Sequence, residues 1–445
     1  MNRFGNSFKS ILAVFNTSRP LNYIIMTSNV PTMKEQTILS VSRVKSDQVI
    51  GHATVPERVK TIDILRALTM VLMIFVNDLW SLTNIPAWLG HVESGVDGIG
   101  LADIVFPAFL FIVGLSIPYA MESRRKHGDR DWDLIKHVLW RTVALLVMGV
   151  FLVNGETING EATGLPRYIW GPLCCLCFIL IWNSYPGKAN RFLVYTLRGV
   201  AIAALFVLAY IYRGGTDEAI RTFGPQWWGI LGLIGWAYLV SGLVAVFAKD
   251  NLKVILAGWI FFCLLSMIYH GGLFPDYLSF IPEAITGGTL VGLTMGGVLT
   301  AMIFRYYRGR KDNKNLTLVL LAFSVVLIGL SLVTRPYWGL AKLGATPAWL
   351  FLCSAFTILG FLVIYWMADV YKKDHWFKVL KPAGTATLLC YLIPYFAYFT
   401  TRFLGISLPD FMLTGGVGLL KSFLFALLCV FITGGLIRVG VRMKI

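Results

Sequence analysis

LADIVFPAFLFIVGLSIPYAM occupies residues 101–121 and contains one charged side chain, Asp103. A transmembrane helix needs about 20 consecutive, mainly apolar residues, so this run is long enough to cross a bilayer. Because lipid cannot satisfy exposed backbone groups, runs of this length are predicted to be helices. Eleven other runs in the chain share the pattern. The twelve predicted spans are 61–80, 101–121, 134–153, 168–183, 191–212, 228–247, 252–270, 287–304, 316–334, 347–369, 384–403 and 416–437.

The composition of the 445-residue chain agrees with this pattern. Hydrophobic residues make up 57% and charged residues 14%, whereas soluble domains carry about 25% charged residues. A soluble enzyme, a disulfide-stapled secreted domain and a disordered chain are therefore excluded. The net charge of +16 comes from basic residues in short loops, so we expect no binding to nucleic acid. The sequence predicts an all-α, polytopic integral membrane protein in a lipid bilayer, with about twelve transmembrane helices and eleven as the alternative count.

The loop charges predict an orientation. Alternate loops carry seventeen Lys and Arg residues in one set and six in the other. Basic residues favour cytoplasmic loops, and this rule places both termini in the cytoplasm. We expect a multi-pass protein of the plasma (inner) membrane.

The chain divides into two predicted parts. Residues 1–56 are polar and patternless, and we predict a disordered N-terminal segment or an over-extended start. Residues 57–445 are predicted to form a single transmembrane domain. All seven cysteines fall in apolar spans without a matching Cys or His pair, so we expect no metal site.

The first span carries ionisable and polar side chains, which are costly in a bilayer and so mark candidate sites. At 100° per residue, Asp63, Arg66 and Asn77 fall within about 60° on one face. Asp63 and Arg66 have i,i+3 spacing and can pair, either as part of a substrate path or as an ion pair that seats the helix start. Asn77 lies about 21 Å beyond Asp63 at 1.5 Å per residue, which places it near the outer end of the helix.

The loop after this span contains His91, which acidic residues and glycines flank. The loop itself contains no Lys or Arg. Asp103 begins the next span, so Asn77, His91 and Asp103 are expected to gather at one membrane face. An imidazole with an ordinary pKa near 6.5 suits proton transfer; the alternative interpretation is a solvated loop histidine. His270, at the outer end of the seventh span and followed by Gly271-Gly272, could line the same cavity or simply mark the helix boundary.

One stretch of sequence resembles a known family. It reads Asp63-x-Leu-Arg66-x-Leu, then Met-x-Phe-Val-Asn77, Pro…His91 and Ala-Asp103-x-Val-Phe-Pro-x-Phe-Leu-Phe-x-x-Gly114. This pattern is similar to heparan-α-glucosaminide N-acetyltransferase and its bacterial relatives in the transmembrane acyltransferase group. The likeness resumes at Ala341-Lys342, Asp369-Val370, Gly384-x-x-Thr-Leu-Leu-x-Tyr391 and the terminal Met443-Lys-Ile.

The resemblance implies an enzyme that moves an acetyl (acyl) group from cytoplasmic acetyl-CoA, its acyl donor substrate, to an amino sugar or glycan on the extracytoplasmic side. Carried over by motif, the catalytic residues are His91, Asn77 and Asp103. Substrate contacts are expected from Asp63, Arg66, His270 and Lys342. The oligomeric state is open, with a homodimer as one option.

Two other classes stay open on the residues alone. One is a secondary transporter of a small or sugar-like solute, because twelve spans with both termini inside are common among transporters. Transporters favour charged sites at midmembrane, whereas this polar cluster lies at one face. The other is a non-catalytic membrane protein of glycan assembly, which would not need His91.

Overall fold

A computed structural model describes residues 59–187 and 189–445, so the predicted N-terminal segment 1–56 lies outside the described residues. Within them the chain is mainly helical. The helices are α1 Lys60–Asp78, α2 Leu101–Lys126, α3 Asp131–Thr157, α4 Gly160–Thr163, α5 Arg167–Trp182, α6 Arg191–Ile211, α7 Gly229–Ala248, α8 Leu252–His270, α9 Glu283–Thr286, α10 Thr289–Gly309, α11 Asn313–Trp338, α12 Pro347–Ile364, α13 Lys381–Thr385, α14 Thr387–Phe403 and α15 Gly415–Arg438. A π-helical stretch, Tyr365–Val370, continues α12.

Each of the twelve predicted spans coincides with one of these helices. Nine described helices are long and apolar enough to cross a membrane: α2, α3, α6, α7, α8, α10, α11, α12 with its continuation, and α15. Of the other three, α5 is apolar but has only 16 residues. Helix α14 has 17 residues, and the 19-residue α1 carries ionisable side chains within its span. The chain is thus a multi-pass, α-helical membrane protein, while the count of twelve and the cytoplasmic termini stay predictions.

One small sheet lies outside the predicted spans. Strands β1 Gly214–Thr216 and β2 Ala219–Arg221 pair antiparallel between α6 and α7. Glycine residues and a tight turn permit this hairpin. The pattern of apolar spans did not predict it.

The long helices reverse direction in succession, so their connections alternate between two ends of the bundle. The end that we call the His91 end holds residues 79–100, 158–166, 212–228, 271–288, 339–346 and 404–414. Backbone hydrogen bonds join several of these connections, as from Thr83 N to Leu413 O (2.9 Å). The opposite end, called the Lys60 end, contains the start of α1.

Two glycines allow α2 and α10 to cross in direct backbone contact. A Cβ added at Gly114 would lie 1.9 Å from the carbonyl oxygen of Thr294, and one at Gly297 would lie 2.0 Å from that of Phe111. Small residues let membrane helices approach closely where lipid supplies no hydrophobic drive for association. The crossing fixes α2, and therefore the helix start that carries Asp103.

Helix α1 packs against α2, α13, α14 and α15. Met70 and Met73 of α1, Cys390 of α14 and Cys429 of α15 are buried in one apolar cluster. The far end of α1 is thus held between α2 and the last two long helices.

Candidate active site

The connection 79–100, called the His91 loop, folds back over the start of α2. It contains two short 3₁₀ turns, Leu79–Ser81 and Ala87–Leu89. A Cβ at Gly100 would lie 2.0 Å from the carbonyl oxygen of Gly90. Only glycine fits this approach, which brings the residue after Gly90 next to the first turn of α2.

Asp103 holds the loop to that first turn. Its Oδ2 accepts hydrogen bonds from the backbone N–H of Gly100 (3.0 Å) and of Val92 (3.1 Å). A carboxylate in the first turn of a helix also compensates the unpaired N–H groups there. The indole N–H of Trp349, from α12, donates to the backbone carbonyl of Asp103 (3.0 Å), so the residue is anchored from both sides.

His91 and Asp103 form the pair that the sequence placed at this face. His91 Nδ1 lies 2.7 Å from Asp103 Oδ1, and the two side chains are 49% and 2% exposed. Because an ionised carboxylate only accepts, Nδ1 carries the proton in this bond. Nε2 of the neutral ring therefore keeps its lone pair, on an imidazole whose tautomer and orientation are fixed by a buried acid.

Lys342 completes the cluster. Its Nζ lies 3.1 Å from His91 Nδ1, 3.4 Å from His91 Nε2 and 3.9 Å from Asp103 Oδ1. Nζ is nearly equidistant from the two ring nitrogens, whereas an atom in line with the Nε2 lone pair would be much farther from Nδ1. The ammonium therefore lies out of line with the Nε2 lone pair and does not block it. Burial lowers the pKa of Lys342 below the usual lysine value of 10.5, and the Asp103 charge opposes the shift.

The connection 339–346, called the Lys342 loop, is tied to the His91 loop. Asp97 accepts from the backbone N–H of Leu340 (2.8 Å) and from the Arg335 guanidinium (3.0 Å). Gly98 N donates in return to Leu340 O (2.9 Å). The Leu340 N–H, with a further contribution from Arg335, lowers the pKa of Asp97. The Asp97 carboxylate that joins the two loops is therefore charged at neutral pH.

His270 lies at the far side of the Lys342 loop. Its Nε2 is 2.8 Å from the carbonyl oxygen of Gly344, and its Nδ1 is 2.8 Å from that of Ser266. The structure thus turns both ring nitrogens toward backbone acceptors, where His270 braces the loop. It is not brought into hydrogen-bonding contact with His91 among the described residues.

Asn77 lies exposed in the last turn of α1. Within the described part of the chain its side chain makes no hydrogen bond, to His91 or to any other residue. The structure places it at the predicted end of the bundle, and its amide is available to a ligand.

Asp63 and Arg66 lie toward the Lys60 end and pair as their spacing predicted, with Arg66 Nη1 3.4 Å from Asp63 Oδ1. Arg66 also donates to the Ser116 hydroxyl of α2 (2.5 Å) and to Gly384 O of α13 (3.1 Å). Twelve residues separate Arg66 from the end of α1, or about 18 Å at 1.5 Å per residue. The structure does not join this pair to the His91 cluster.

A second ionic cluster lies at the end of α1 and escaped the sequence interpretation. The Asp78 carboxylate accepts from Lys421 Nζ (2.7 Å), the Ser422 hydroxyl (2.6 Å) and the Tyr398 hydroxyl (2.9 Å). One signal was present in the sequence, because Lys421 falls inside the predicted span 416–437 and needs a partner there. Its partner could not be read from spacing.

A small cleft lies between α2, α7, α8 and α10, away from the His91 cluster. Two acids, Glu122 and Asp250, and two bases, Arg125 and Lys249, line it, and Arg305 contacts both acids at 3.0 Å. Such a balanced lining offers no excess of positive charge for phosphates. Among the described residues, no group of three or more His, Cys, Asp or Glu side chains is arranged to hold a metal ion.

Comparison with known proteins finds a similar family over the first part of the chain. A family model described as heparan-alpha-glucosaminide N-acetyltransferase, catalytic, matches residues 58–162, which contain Asn77, His91 and Asp103. The resemblance to this family that the motifs predicted is confirmed.

Two particular relatives carry that name. The human heparan-alpha-glucosaminide N-acetyltransferase is 27% identical over 303 residues, or 59% of this chain and 41% of that protein. The mouse protein is 31% identical over 185 residues, or 40% of this chain and 24% of that protein. The matches therefore span less than half the length of these curated relatives.

Proposed function

We propose that the protein is a membrane-embedded acyltransferase that moves an acetyl group from cytoplasmic acetyl-CoA to an amino sugar or glycan on the extracytoplasmic side. One observation carries the proposal: a half-exposed His91 is oriented by the buried Asp103 within the segment that matches a catalytic family model. A purely structural histidine would not need a half-exposed ring whose tautomer is set by a buried acid.

His91 acts on the acceptor amine. With Nδ1–H donated to Asp103, Nε2 accepts a proton as the amine nitrogen attacks the thioester carbonyl carbon. The Asp103 carboxylate then stabilises the imidazolium that forms, as the acidic partner does in catalytic triads. When the carbon–sulfur bond breaks, the imidazolium returns the proton to the departing thiolate.

The same nitrogen supports a second route. Nε2 can attack the thioester itself, which gives an acyl-imidazole that the acceptor amine resolves. The two routes differ in one observable, the transient label on His91 in the absence of acceptor. Hydroxylamine cleaves an acyl-imidazole rapidly, so lability of the label identifies this intermediate.

Asn77 and Lys342 are proposed to stabilise the negative charge that develops on the carbonyl oxygen. An amide donor and an ammonium are both suited to this role. We propose that the donor reaches His91 along α1, where Asp63 and Arg66 lie toward the Lys60 end. His270 contributes by bracing the Lys342 loop.

The test uses the purified full chain with labelled acetyl-CoA and glucosamine as acceptor. We expect label on the amino sugar, and loss of that label in His91→Ala. An unlabelled sugar and unlabelled protein, together with acetyl-CoA-independent uptake of glucosamine into vesicles holding the protein, would instead support a transporter. Normal glycan assembly by the His91→Ala variant would support a non-catalytic role.

A further inference from the structure

Lys342 places a second primary amine at the position where an acceptor amine is to be activated. Its Nζ is 3.4 Å from His91 Nε2, the atom proposed to take the acceptor's proton. The family model ends at residue 162 and does not reach this side chain. Turned into line with the Nε2 lone pair, this ammonium would compete with the acceptor amine for one base.

The side chain of Lys342 is shielded from bulk solvent. It is 18% exposed, whereas Lys136 and Lys249 are 60% and 65% exposed. A dissolved acylating reagent meets the exposed pair far more readily than it meets Lys342. A donor whose thioester is bound next to His91 would instead react more readily with Lys342, because the thioester lies beside this side chain.

Burial also favours the reactive form of the amine. Only the neutral amine is a nucleophile, and withdrawal from water disfavours the ammonium. The lowered pKa of Lys342 agrees with this direction.

We propose that Lys342 is a self-acylation site, whose Nζ receives the acetyl group from bound acetyl-CoA when no acceptor amine is present. The proposal rests on the acyltransferase function proposed above. It assigns to this residue a modification that the acceptor substrate normally prevents.

Once the lysine side chain has turned toward the Nε2 lone pair, His91 Nε2 takes one proton from the Lys342 ammonium, and the freed Nζ lone pair forms a bond to the thioester carbonyl carbon. The carbon–sulfur bond then breaks, and the second proton passes from nitrogen to the departing thiolate. The products are an acetyl-lysine amide, the free thiol of CoA and one proton on His91, which returns to solvent.

Acetylation would change the site in two ways. The positive charge beside Asp103 disappears, and an amide fills space next to the imidazole. We therefore expect a chain held with acetyl-CoA and no acceptor to lose its transfer activity with time, and glucosamine to protect it.

The experiment measures acetyl incorporation by peptide mass spectrometry after incubation of the purified full chain with isotopically labelled acetyl-CoA. Exposed Lys136 and Lys249 serve as internal controls for uncatalysed acetylation in the same sample. We expect His91→Ala to slow acetylation of Lys342 by about 10²-fold or more, the lower range for loss of general acid–base assistance. The two control lysines should be unaffected, and glucosamine should suppress the label at Lys342 alone.

Two results would overturn the proposal: an unlabelled Lys342 in a preparation that acetylates glucosamine, or labelling of Lys342 that is independent of His91. Neither Lys342 nor glucosamine labelled would show that the proposed function itself fails. If His91→Ala does not fold, Asp103→Asn makes the same comparison, because it removes the acid that orients the ring. Lys342→Arg keeps a cation there but lacks the primary amine, so it should carry no acetyl label at this position.

Discussion

Asp78, the last residue of α1, binds Lys421 of α15 through a 2.7 Å ion pair whose side chains are only 4% and 15% exposed. The pair joins positions 343 residues apart in the chain. It fastens the end of α1, and hence the start of the His91 loop, to the last long helix.

Removing one partner of this pair should destabilise the protein strongly. Loss of one member of a buried ion pair costs about 3–5 kcal/mol, because the other charge stays buried without compensation. We expect Lys421→Met to lower the thermal midpoint well below that of Lys126→Met, which breaks an exposed pair with Glu122 worth about 1 kcal/mol or less. Equal midpoints for the two variants, measured in one detergent, would contradict this assignment.

The two histidines at the His91 end should separate catalysis from structure. His91→Ala removes the proposed base, and we expect transfer to glucosamine to fall by about 10²–10⁴-fold with the thermal midpoint largely kept. His270→Ala removes the contacts to Ser266 and Gly344 and should mainly lower the midpoint. If the His91 variant turns over normally in a single-turnover assay, the catalytic centre lies elsewhere.

Asn77→Ala tests the amide at the end of α1. If the amide donates to the developing oxyanion, its removal should cost about 10²–10³-fold in kcat, the range for loss of one oxyanion donor. The thermal midpoint should not change, because the side chain makes no hydrogen bond within the described residues. A change in KM alone would show that the amide binds a substrate without assisting the reaction.

Lys342 should give the stability a distinctive alkaline pH dependence. Its folded-state pKa is lowered, so between that value and 10.5 the unfolded chain binds more protons, and stability rises with pH in this window. Below the window the buried ammonium destabilises the fold. The thermal midpoint of the native chain, compared with Lys342→Met, should therefore improve as the pH increases toward 10.5. Parallel profiles for the two proteins would refute the burial of this charge.

Gly100→Ala should disrupt the His91 loop specifically, since the added Cβ would meet the carbonyl of Gly90 at 2.0 Å. We expect a large loss of transfer because His91 shifts relative to Asp103. Gly98→Ala is the matched control, as its Cβ would only touch Val92 at an ordinary 3.9 Å. Similar activity in both variants would mean that the close approach does not position the histidine.

The membrane orientation can be tested with reporter fusions. The excess of basic residues on alternate loops predicts that a reporter after Ser94 faces outside and one after Lys311 faces inside. Both reporters on the same side would contradict the twelve-span arrangement.

Local sequence properties were sufficient for the helices and for part of the site. Long apolar runs place a helix at every predicted span, because backbone satisfaction in lipid leaves few alternatives. His91 and Asp103 are twelve residues apart, so a single loop return brings them together, and the sequence predicted their meeting.

Contacts between distant segments could not be read in this way. Lys342 was identified only through the family resemblance, since it reaches His91 across 251 residues. The partner of Lys421 was missed for the same reason, and the backbone contacts of His270 depend on how the Lys342 loop folds. Pattern and spacing describe neighbours along the chain, whereas these contacts depend on the packing of whole helices.

The hydrogen bond between Asp97 and Leu340 has a consequence for expressing the protein as two fragments. His91 and Asp103 belong to the first third of the polypeptide, and the ammonium facing them belongs to the last. A gene split in the connection between α7 and α8 would encode two halves, neither of which holds the whole cluster. Acetyl transfer by such a pair would report directly on reassembly within the bilayer, with Asp97 as the contact that brings the two fragments into register.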